Sequence, residues 1–147
     1  MSGSATKSRR SAAPSQTDYE LLAAFRHELR EFLHFSEQAA RAAGIHPQQH
    51  QAMLAIRGFS KRNFITVGEL ALKLKIEPHS AAGLVARMET EGLVTKAADP
   101  DDKRRVLIRT TPRGDRALRH LSTAHKAELA RVGPALKKIL THLEIIS

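Results

Sequence analysis

The sequence predicts a mainly α-helical protein with one small β-hairpin. Apolar residues recur at helical spacing over most of the 147-residue chain. Prolines at the predicted helix starts and glycines at the predicted helix ends separate these segments from one another. Residues 92–108 are the exception, because they contain two short strand-like runs on either side of a charged turn.

The first long helix is predicted from residue 17 to about Gly44. Thr17 and Glu20 have the spacing of a capping box, and apolar residues then follow at helical intervals. Pro47 lies in the first turn of a second helix that ends near Gly58. Residues 1–16 contain three basic residues and no acidic residue, so we expect a disordered basic tail there.

Two short helices joined by a tight turn are predicted next. Residues 64–65 are a possible short strand, and Thr66 and Glu69 form a second capping box that opens the first of the two helices. Pro78 begins the second helix after a turn at residues 75–77. Its inward face is formed by Ala81, Leu84, Val85 and Met88. This arrangement is typical of a helix-turn-helix.

The charged hairpin and further helices complete the chain. Residues 92–96 and 106–108 form the two strand-like runs, and the turn between them is rich in Asp, Lys and Arg. Thr111 and Pro112 then begin a long helix that is predicted to reach about Val132. Residues 133–134, Gly-Pro, are predicted to break it and to precede a separate last helix. The predicted order is four helices, a hairpin and two helices.

Composition restricts the class of protein. Lys and Arg number 24 against 15 Asp and Glu, so the net charge is +9, which suits a polyanionic partner. The absence of cysteine excludes disulfides, thiolate zinc sites and thiol redox sensing. The sequence has neither an 18-residue apolar run nor an apolar signal region, so we expect a cytoplasmic protein with no membrane partner.

Enzymatic motifs are missing from the sequence. It contains no HExxH, no GxSxG and no phosphate-cradling glycine loop, so it predicts neither an enzyme nor a cofactor. His46 and His50 are four residues apart, but His46 lies at a helix cap. His120 and His125 are five residues apart, which does not place them on one helical face. We therefore predict no metal site, with a metal sensor using ligands from two chains as the alternative.

The order of these elements resembles the MarR family of multiple-antibiotic-resistance regulators over about residues 18–145. The resemblance is strongest from Thr66 to Gly114. It is carried by residues 66–71, 78–89 and 92–94, by the Asp99-Pro100-x-Asp102-x-Arg104 pattern, and by residues 111–114. It implies a winged helix-turn-helix transcription regulator. Residues 45–111 would form the DNA-binding lobe, and residues 17–44 and 112–147 would form the dimerisation helices. The chain departs from the family pattern at Lys96, Lys103 and Thr110.

Residues near the start of the second helix of the helix-turn-helix are candidates for reading double-stranded DNA. His79 and Ser80 are the best candidates for base edges, because the N-terminal residues of a recognition helix enter the major groove first. Ala82 and Gly83 permit close approach of the backbone, and Arg87 is suited to guanine or to a phosphate. Few long polar side chains face outward, so we expect modest direct readout and a larger share from DNA shape and phosphates.

The hairpin is expected to act as the wing. Arg104 is the predicted minor-groove residue, and the resemblance implies that Asp102 holds it by a charge-assisted hydrogen bond. Lys103 and Arg105 are predicted to contact phosphates. A solvated charged hairpin without a role in DNA binding is the alternative.

A homodimer is expected from the apolar spacing of the last helix. Apolar side chains at the C-terminus would be exposed in a monomer, namely Leu136, Ile139, Leu140, Leu143, Ile145 and Ile146. The i, i+3, i+4, i+7 spacing of Leu136, Ile139, Leu140 and Leu143 indicates a helix–helix interface. A two-fold dimer would bind a pseudo-palindromic operator. Packing within one chain is the alternative.

The resemblance also implies a small effector, such as an aromatic acid, held between the dimer helices and the DNA-binding lobe. Candidate lining residues combine aromatic with cationic or titratable groups, namely His27, His34, Phe35, His50 and Arg57.

The predicted function is thus a homodimeric repressor that a small ligand releases from DNA. The rival interpretation is a winged helix used for protein interaction or for non-specific DNA binding without a ligand. Steep salt dependence of a DNA complex would distinguish DNA binding from protein interaction.

Overall fold

The computed structural model describes residues 12–147, with five helices and three strands in that part of the chain. The elements are α1 (Gln16–Ala42), α2 (Pro47–Gly58), β1 (Ile65–Thr66), α3 (Val67–Leu74), α4 (Pro78–Thr90), β2 (Val94–Ala98), β3 (Val106–Thr110) and α5 (Pro112–His142). The mainly α-helical prediction with one small sheet is confirmed. The predicted basic tail falls largely on residues 1–11, which lie outside the described residues. Within residues 12–147, no helix combines the length and the apolar character needed to cross a membrane.

Helix α1 begins before the predicted capping box. The backbone N–H of Asp18 donates to Ser15 Oγ, and the N–H of Ser15 donates to the Asp18 carboxylate. Ser15, rather than Thr17, therefore caps the helix, because these reciprocal bonds satisfy two free backbone donors one half-turn earlier. At the other end Gly44 has a φ of 74°. Ile45 N–H then donates to the carbonyl of Ala40, which ends the helix close to the predicted position.

Half of the second predicted capping box is observed at the start of α3, because the Glu69 side chain contacts the Thr66 hydroxyl and not the Thr66 backbone N–H. Thr66 Oγ1 accepts the N–H of Glu69 at 3.0 Å and donates to Glu69 Oε1 at 3.2 Å. Lys75 ends α3 in the left-handed conformation, with a φ of 54°. The chain therefore turns sharply, and α4 begins at Pro78 as predicted.

The predicted break at Gly133-Pro134 is wrong. Helix α5 continues from Pro112 to His142 with Pro134 inside it. Proline removes one backbone donor, and it disfavours helical geometry in the preceding residue through contact with that residue's Cβ. Gly133 has no Cβ, so this clash is reduced and the helix continues. The helices after the hairpin are therefore one and not two.

The chain divides into two compact units, residues 35–127 and the two segments 12–34 and 128–147. Both long helices cross this division. The predicted division placed residues 35–44 and 112–127 with the terminal helices, whereas the structure groups them with the lobe. Their apolar side chains explain the difference, because Ala40 is fully buried and Leu118 and Leu121 belong to the core of the lobe.

The core of the 35–127 unit joins α2, α3, α4 and the sheet. Met53, Ile56, Leu70, Met88 and Ile108 are fully or almost fully buried in it. The sheet is antiparallel with strand order β1-β3-β2, and β2 pairs with β3 from Val94↔Thr110 to Ala98↔Val106. The hairpin therefore projects residues 99–105 at its free end.

The start of α5 is fixed against the sheet by close contacts. The backbone N–H of Thr111 donates to the carbonyl of Leu93 at 3.0 Å, and Thr111 Oγ1 donates to the carbonyl of Gly92 at 2.6 Å. The same hydroxyl oxygen accepts the N–H of Gly114 at 3.0 Å, so Thr111 caps the helix as predicted. A Cβ at position 114 would overlap the carbonyl oxygen of Leu93, so only glycine fits there.

The second unit contains the outer parts of α1 and α5. Arg131 donates to the Glu128 carboxylate at 2.6 Å, and that bond raises the pKa of Arg131. The charges of Glu28 and Glu31 on α1 raise the same pKa. Val132 and Ile139 are buried in the single chain.

The expectation that the last helix would be exposed in a monomer is wrong in part. Ile139 is buried, and Leu136, Leu140 and Leu143 are half-buried. The reason is that this apolar side of α5 is partly covered by the chain itself. Ile145 and Ile146 are exposed as predicted, and further large apolar side chains are exposed on α1.

Candidate nucleic-acid interface

Helix α4 buries one side and presents the other to solvent. Ala81, Leu84, Val85 and Met88 have at most 1% exposure, which confirms the predicted inward face. The predicted DNA-reading residues are all exposed, namely His79, Ser80, Ala82, Gly83 and Arg87. The pattern follows from the 100° rotation per helical residue.

Small residues dominate the exposed face of α4. A Cβ at Gly83 would meet no atom within 4 Å beyond its chain neighbours and its own helix backbone, so packing within the chain does not require glycine there. Thr90 also faces outward, but its hydroxyl already donates to the carbonyl of Ala86 at 3.0 Å. The face is therefore open to a partner that approaches the helix backbone closely.

The wing (residues 94–110) has an ordered tip. The N–H of Asp99 donates to the carbonyl of Arg105 at 3.0 Å, and the N–H of Arg105 donates to the carbonyl of Asp102 at 2.9 Å. Asp99 Oδ1 also accepts the N–H of Asp101 at 2.9 Å. These bonds fix the backbone on which the basic side chains stand.

Asp102 organises the basic residues at this tip. Its Oδ1 accepts the backbone N–H of Arg104 at 3.1 Å and Arg104 Nε at 3.2 Å. Arg105 Nε lies 3.8 Å from Asp102 Oδ2. The hydrogen bonds from Arg104 lower the pKa of Asp102, so the carboxylate stays charged at neutral pH. The side chain of Arg104 is nevertheless 92% exposed, and Lys103 is exposed beside it.

A cleft of about 330 Å³ lies between α4 and the wing. Its lining is mostly apolar and consists of Val67, Ala82, Val85, Lys96, Ala97, Ala98 and Val106. Lys96 Nζ lies 3.5 Å from Glu89 Oε1 in a surface ion pair. The sequence did not predict this cleft, because its residues come from four elements that only the tertiary fold brings together.

The predicted effector residues do not form one group. Phe35 and His50 are brought together by His125, whose ring centroid lies 5.5 Å from that of Phe35 and 4.8 Å from that of His50. Arg57 instead contacts Asp115, with Nη1 3.4 Å from Oδ1. His27 and His34 are exposed on the other compact unit.

His125 is the member of this group that sequence reasoning missed as an effector residue. Its Nε2 lies 2.7 Å from Ser36 Oγ, and its Nδ1 lies 2.5 Å from the carbonyl of Leu121. His50 is buried, and burial followed by the effect of His125 lowers the pKa of His50. The sequence feature that could have indicated His125 is its position on the inward side of a long amphipathic helix.

Comparison with known proteins finds sequence relatives over about half of the chain. The model of the MarR family matches residues 43–105. The chain is 34% identical over 74 residues to the HTH-type transcriptional regulator YcgE of Bacillus subtilis, a match that covers 50% of this chain. The chain spans about half the length of the curated relatives it matches, 46% in the case of YcgE.

Solved structures share the fold over most of the chain. A MarR family protein from Bacillus stearothermophilus superposes with a TM-score of 0.73 at 24% identity, over 90% of this chain and 96% of that one. A single-site mutant of S. aureus MepR bound to an oligodeoxyribonucleotide gives a TM-score of 0.65 at 19% identity, over 85% and 97% of the two chains. Residues 43–105, which contain the helix-turn-helix and most of the wing, are thus similar to the MarR family, and the fold of its solved members extends over most of the chain.

Proposed function

We propose that the protein is a sequence-specific DNA-binding transcription regulator, and more finely a homodimeric repressor of a pseudo-palindromic operator. The observation that carries the proposal is the contact between Asp102 and Arg104 at the wing tip. It orients a guanidinium that remains almost fully exposed, as insertion into a narrow minor groove requires. The solved MepR complex with an oligodeoxyribonucleotide supports the same use of this fold.

Helix α4 would lie in the major groove. His79 and Ser80 stand at its exposed start, where they would approach base edges, and Gly83 would allow the helix backbone to come close to the DNA. Arg87 would contact guanine or a phosphate. Lys103 and Arg105 would contact phosphates beside the minor groove.

A homodimer would use the exposed apolar face of α1 in addition to the predicted residues of α5. Tyr19, Leu22, Leu29 and Leu33 are between 41% and 59% exposed, and their spacing places them on one side of the helix. Such a row of apolar side chains favours burial against a second copy. Leu136, Leu140 and Leu143 are half-buried and would contribute their remaining surface.

A small aromatic acid is proposed as the effector. Phe35, His50 and His125 combine one phenyl ring with two imidazole rings, which suits the ring of an aromatic acid. Binding there would favour a spacing of the two DNA-binding lobes of the dimer that no longer matches successive grooves of the DNA. The repressor would then leave its operator.

The test is fluorescence anisotropy with the DNA upstream of the protein's own gene, against a scrambled duplex, at several salt concentrations. We expect preference for the native sequence, saturation at one dimer per site and a steep loss of affinity with salt. Equal, weak binding to both duplexes would favour a non-specific basic protein or a protein-interaction module. Loss of the complex on addition of an aromatic acid would support the effector.

A further inference from the structure

Two arginines lie over the same aromatic ring in the DNA-binding lobe. The Cζ atoms of Arg62 and Arg109 are 4.9 Å and 4.7 Å from the centroid of the Phe64 ring. Phe64 precedes β1, whose Ile65 pairs with Ile108 of β3. The group therefore lies at the end of β3 opposite the wing tip.

The two guanidinium groups are held in place by ordered backbone. Ser60 Oγ accepts the N–H of Arg62 at 3.1 Å, and Asn63 has a φ of 62°, so the loop before Phe64 turns in a defined way. Arg109 stands on β3, paired across the sheet with Thr95. Stacking on an aromatic ring fixes the plane of a guanidinium and leaves its N–H donors free at the edge of that plane.

No carboxylate occupies these donors. Within residues 12–147, neither Arg62 nor Arg109 forms an ion pair with Asp or Glu. From Lys61 to Lys75 the chain has four basic residues, and Glu69 is its one acidic residue. The site therefore presents two oriented, uncompensated cations in a positively charged surface, which favours a phosphate group.

We propose that Arg62, Phe64 and Arg109 form a clamp for a backbone phosphate of DNA that flanks the segment contacted by α4 and the wing. The inference rests on the proposed function. A backbone contact fits better than base stacking, because two guanidiniums already lie over the aromatic ring that a base would need. The clamp would add affinity and fix position without reading sequence.

The experiment compares two duplexes: one limited to the operator segment protected in footprinting, and one extended by a helical turn at each end. The wild-type protein should bind the extended duplex more tightly. Arg62→Gln and Arg109→Gln should abolish that gain, and should reduce the salt slope on the extended duplex by about 0.9 for each phosphate that the variant no longer neutralises. Arg62→Lys keeps the positive charge that Arg62→Gln removes, but it lacks the stacked guanidinium. It should therefore keep only part of the extra affinity for the extended duplex.

Arg119→Gln is the matched control, because it removes an exposed arginine of the same unit and should leave both duplexes unaffected. Far-UV circular dichroism and thermal melting check that each variant folds. If Arg104→Ala weakens DNA binding while the Arg62 and Arg109 variants match wild type on both duplexes, the clamp is overturned and the proposed function stands. If wild type binds neither duplex, both proposals fail.

A titration with inorganic phosphate distinguishes a free phosphorylated compound from DNA as the source of the group. It is followed through the Nε–H signals of the arginines at constant ionic strength. Saturable binding of free phosphate at Arg62 and Arg109, combined with unchanged DNA affinity in the variants, would overturn the assignment to DNA. The assignment to DNA would be supported if the variants lose the extra affinity for the extended duplex and the wild-type protein shows no saturable binding of free phosphate.

Discussion

Arg104 donates both its backbone N–H and its side-chain Nε to the same carboxylate oxygen of Asp102, at 3.1 and 3.2 Å. The side-chain bond uses the inner nitrogen of the guanidinium, so both terminal nitrogens stay available to a partner. Asp102 therefore orients Arg104 without occupying the end that would enter a groove. The lowered pKa of Asp102 follows from the same hydrogen bonds.

Arg104→Ala is expected to weaken operator binding by roughly 1–3 kcal/mol, because it removes the oriented cation that we propose enters the minor groove. Asp102→Asn should have a smaller effect, since it keeps the shape but weakens the charge-assisted bond. Anisotropy measures both affinities, and sedimentation should show an unchanged dimer. Wild-type affinity in Arg104→Ala would remove the wing tip from the mechanism.

Gly83→Ala is expected to stabilise the isolated protein by about 0.5–1 kcal/mol, because alanine is the better helix former and a Cβ there meets open space. The same methyl group would separate α4 from the DNA and weaken the complex. Urea unfolding and anisotropy together test the prediction. A variant that is more stable and binds as tightly as wild type would show that Gly83 does not approach the DNA closely.

Gly114→Ala is expected to destabilise the fold, in contrast to Gly83→Ala. The added Cβ would overlap the carbonyl oxygen of Leu93 and would disturb the bonds of Thr111 to Gly92 and Leu93. Overpacking of this kind typically costs about 1–3 kcal/mol, so we expect a decrease of that size in the free energy of unfolding measured in urea. Unchanged stability would mean that the start of α5 can move away from the sheet.

Leu33→Glu is expected to dissociate the proposed homodimer without unfolding the chain. Leu33 is 59% exposed in the single chain, so the charge costs little in the monomer, but it would be buried without a partner in the dimer. Leu72→Glu is the matched control, because Leu72 is 79% exposed on the other unit. Sedimentation should give a monomer for the first variant and a dimer for the second. A dimer in both would place the interface elsewhere.

The free energy of unfolding is expected to fall as the pH drops below about 6.5, the ordinary pKa of histidine. Burial lowers the pKa of His50 in the folded chain, so in this range the unfolded chain binds more protons and acid favours unfolding. His50→Gln should flatten the pH dependence, and His79→Gln controls for the loss of an exposed imidazole. Urea unfolding from about pH 5 to 8 measures the difference. An equal slope in wild type and His50→Gln would contradict the prediction.

Local rules in the sequence determined most of the secondary structure. The Thr66 and Thr111 caps, the inward face of α4 and the hairpin around residues 99–105 depend on neighbours within a few positions, and each was predicted at its observed place. The exposure of the predicted DNA-reading residues followed from helical rotation alone. The Asp102–Arg104 bond was implied by the family resemblance and spans only two residues.

Only the tertiary structure decided which distant residues meet. Ile139 is buried because the chain covers part of that side of α5. The contact of His50 with His125, the two arginines over Phe64 and the cleft beside α4 join residues that are far apart in the sequence or lie on different elements. Periodicity gives the face on which a residue lies, whereas the packing of helices and strands determines what that face contacts.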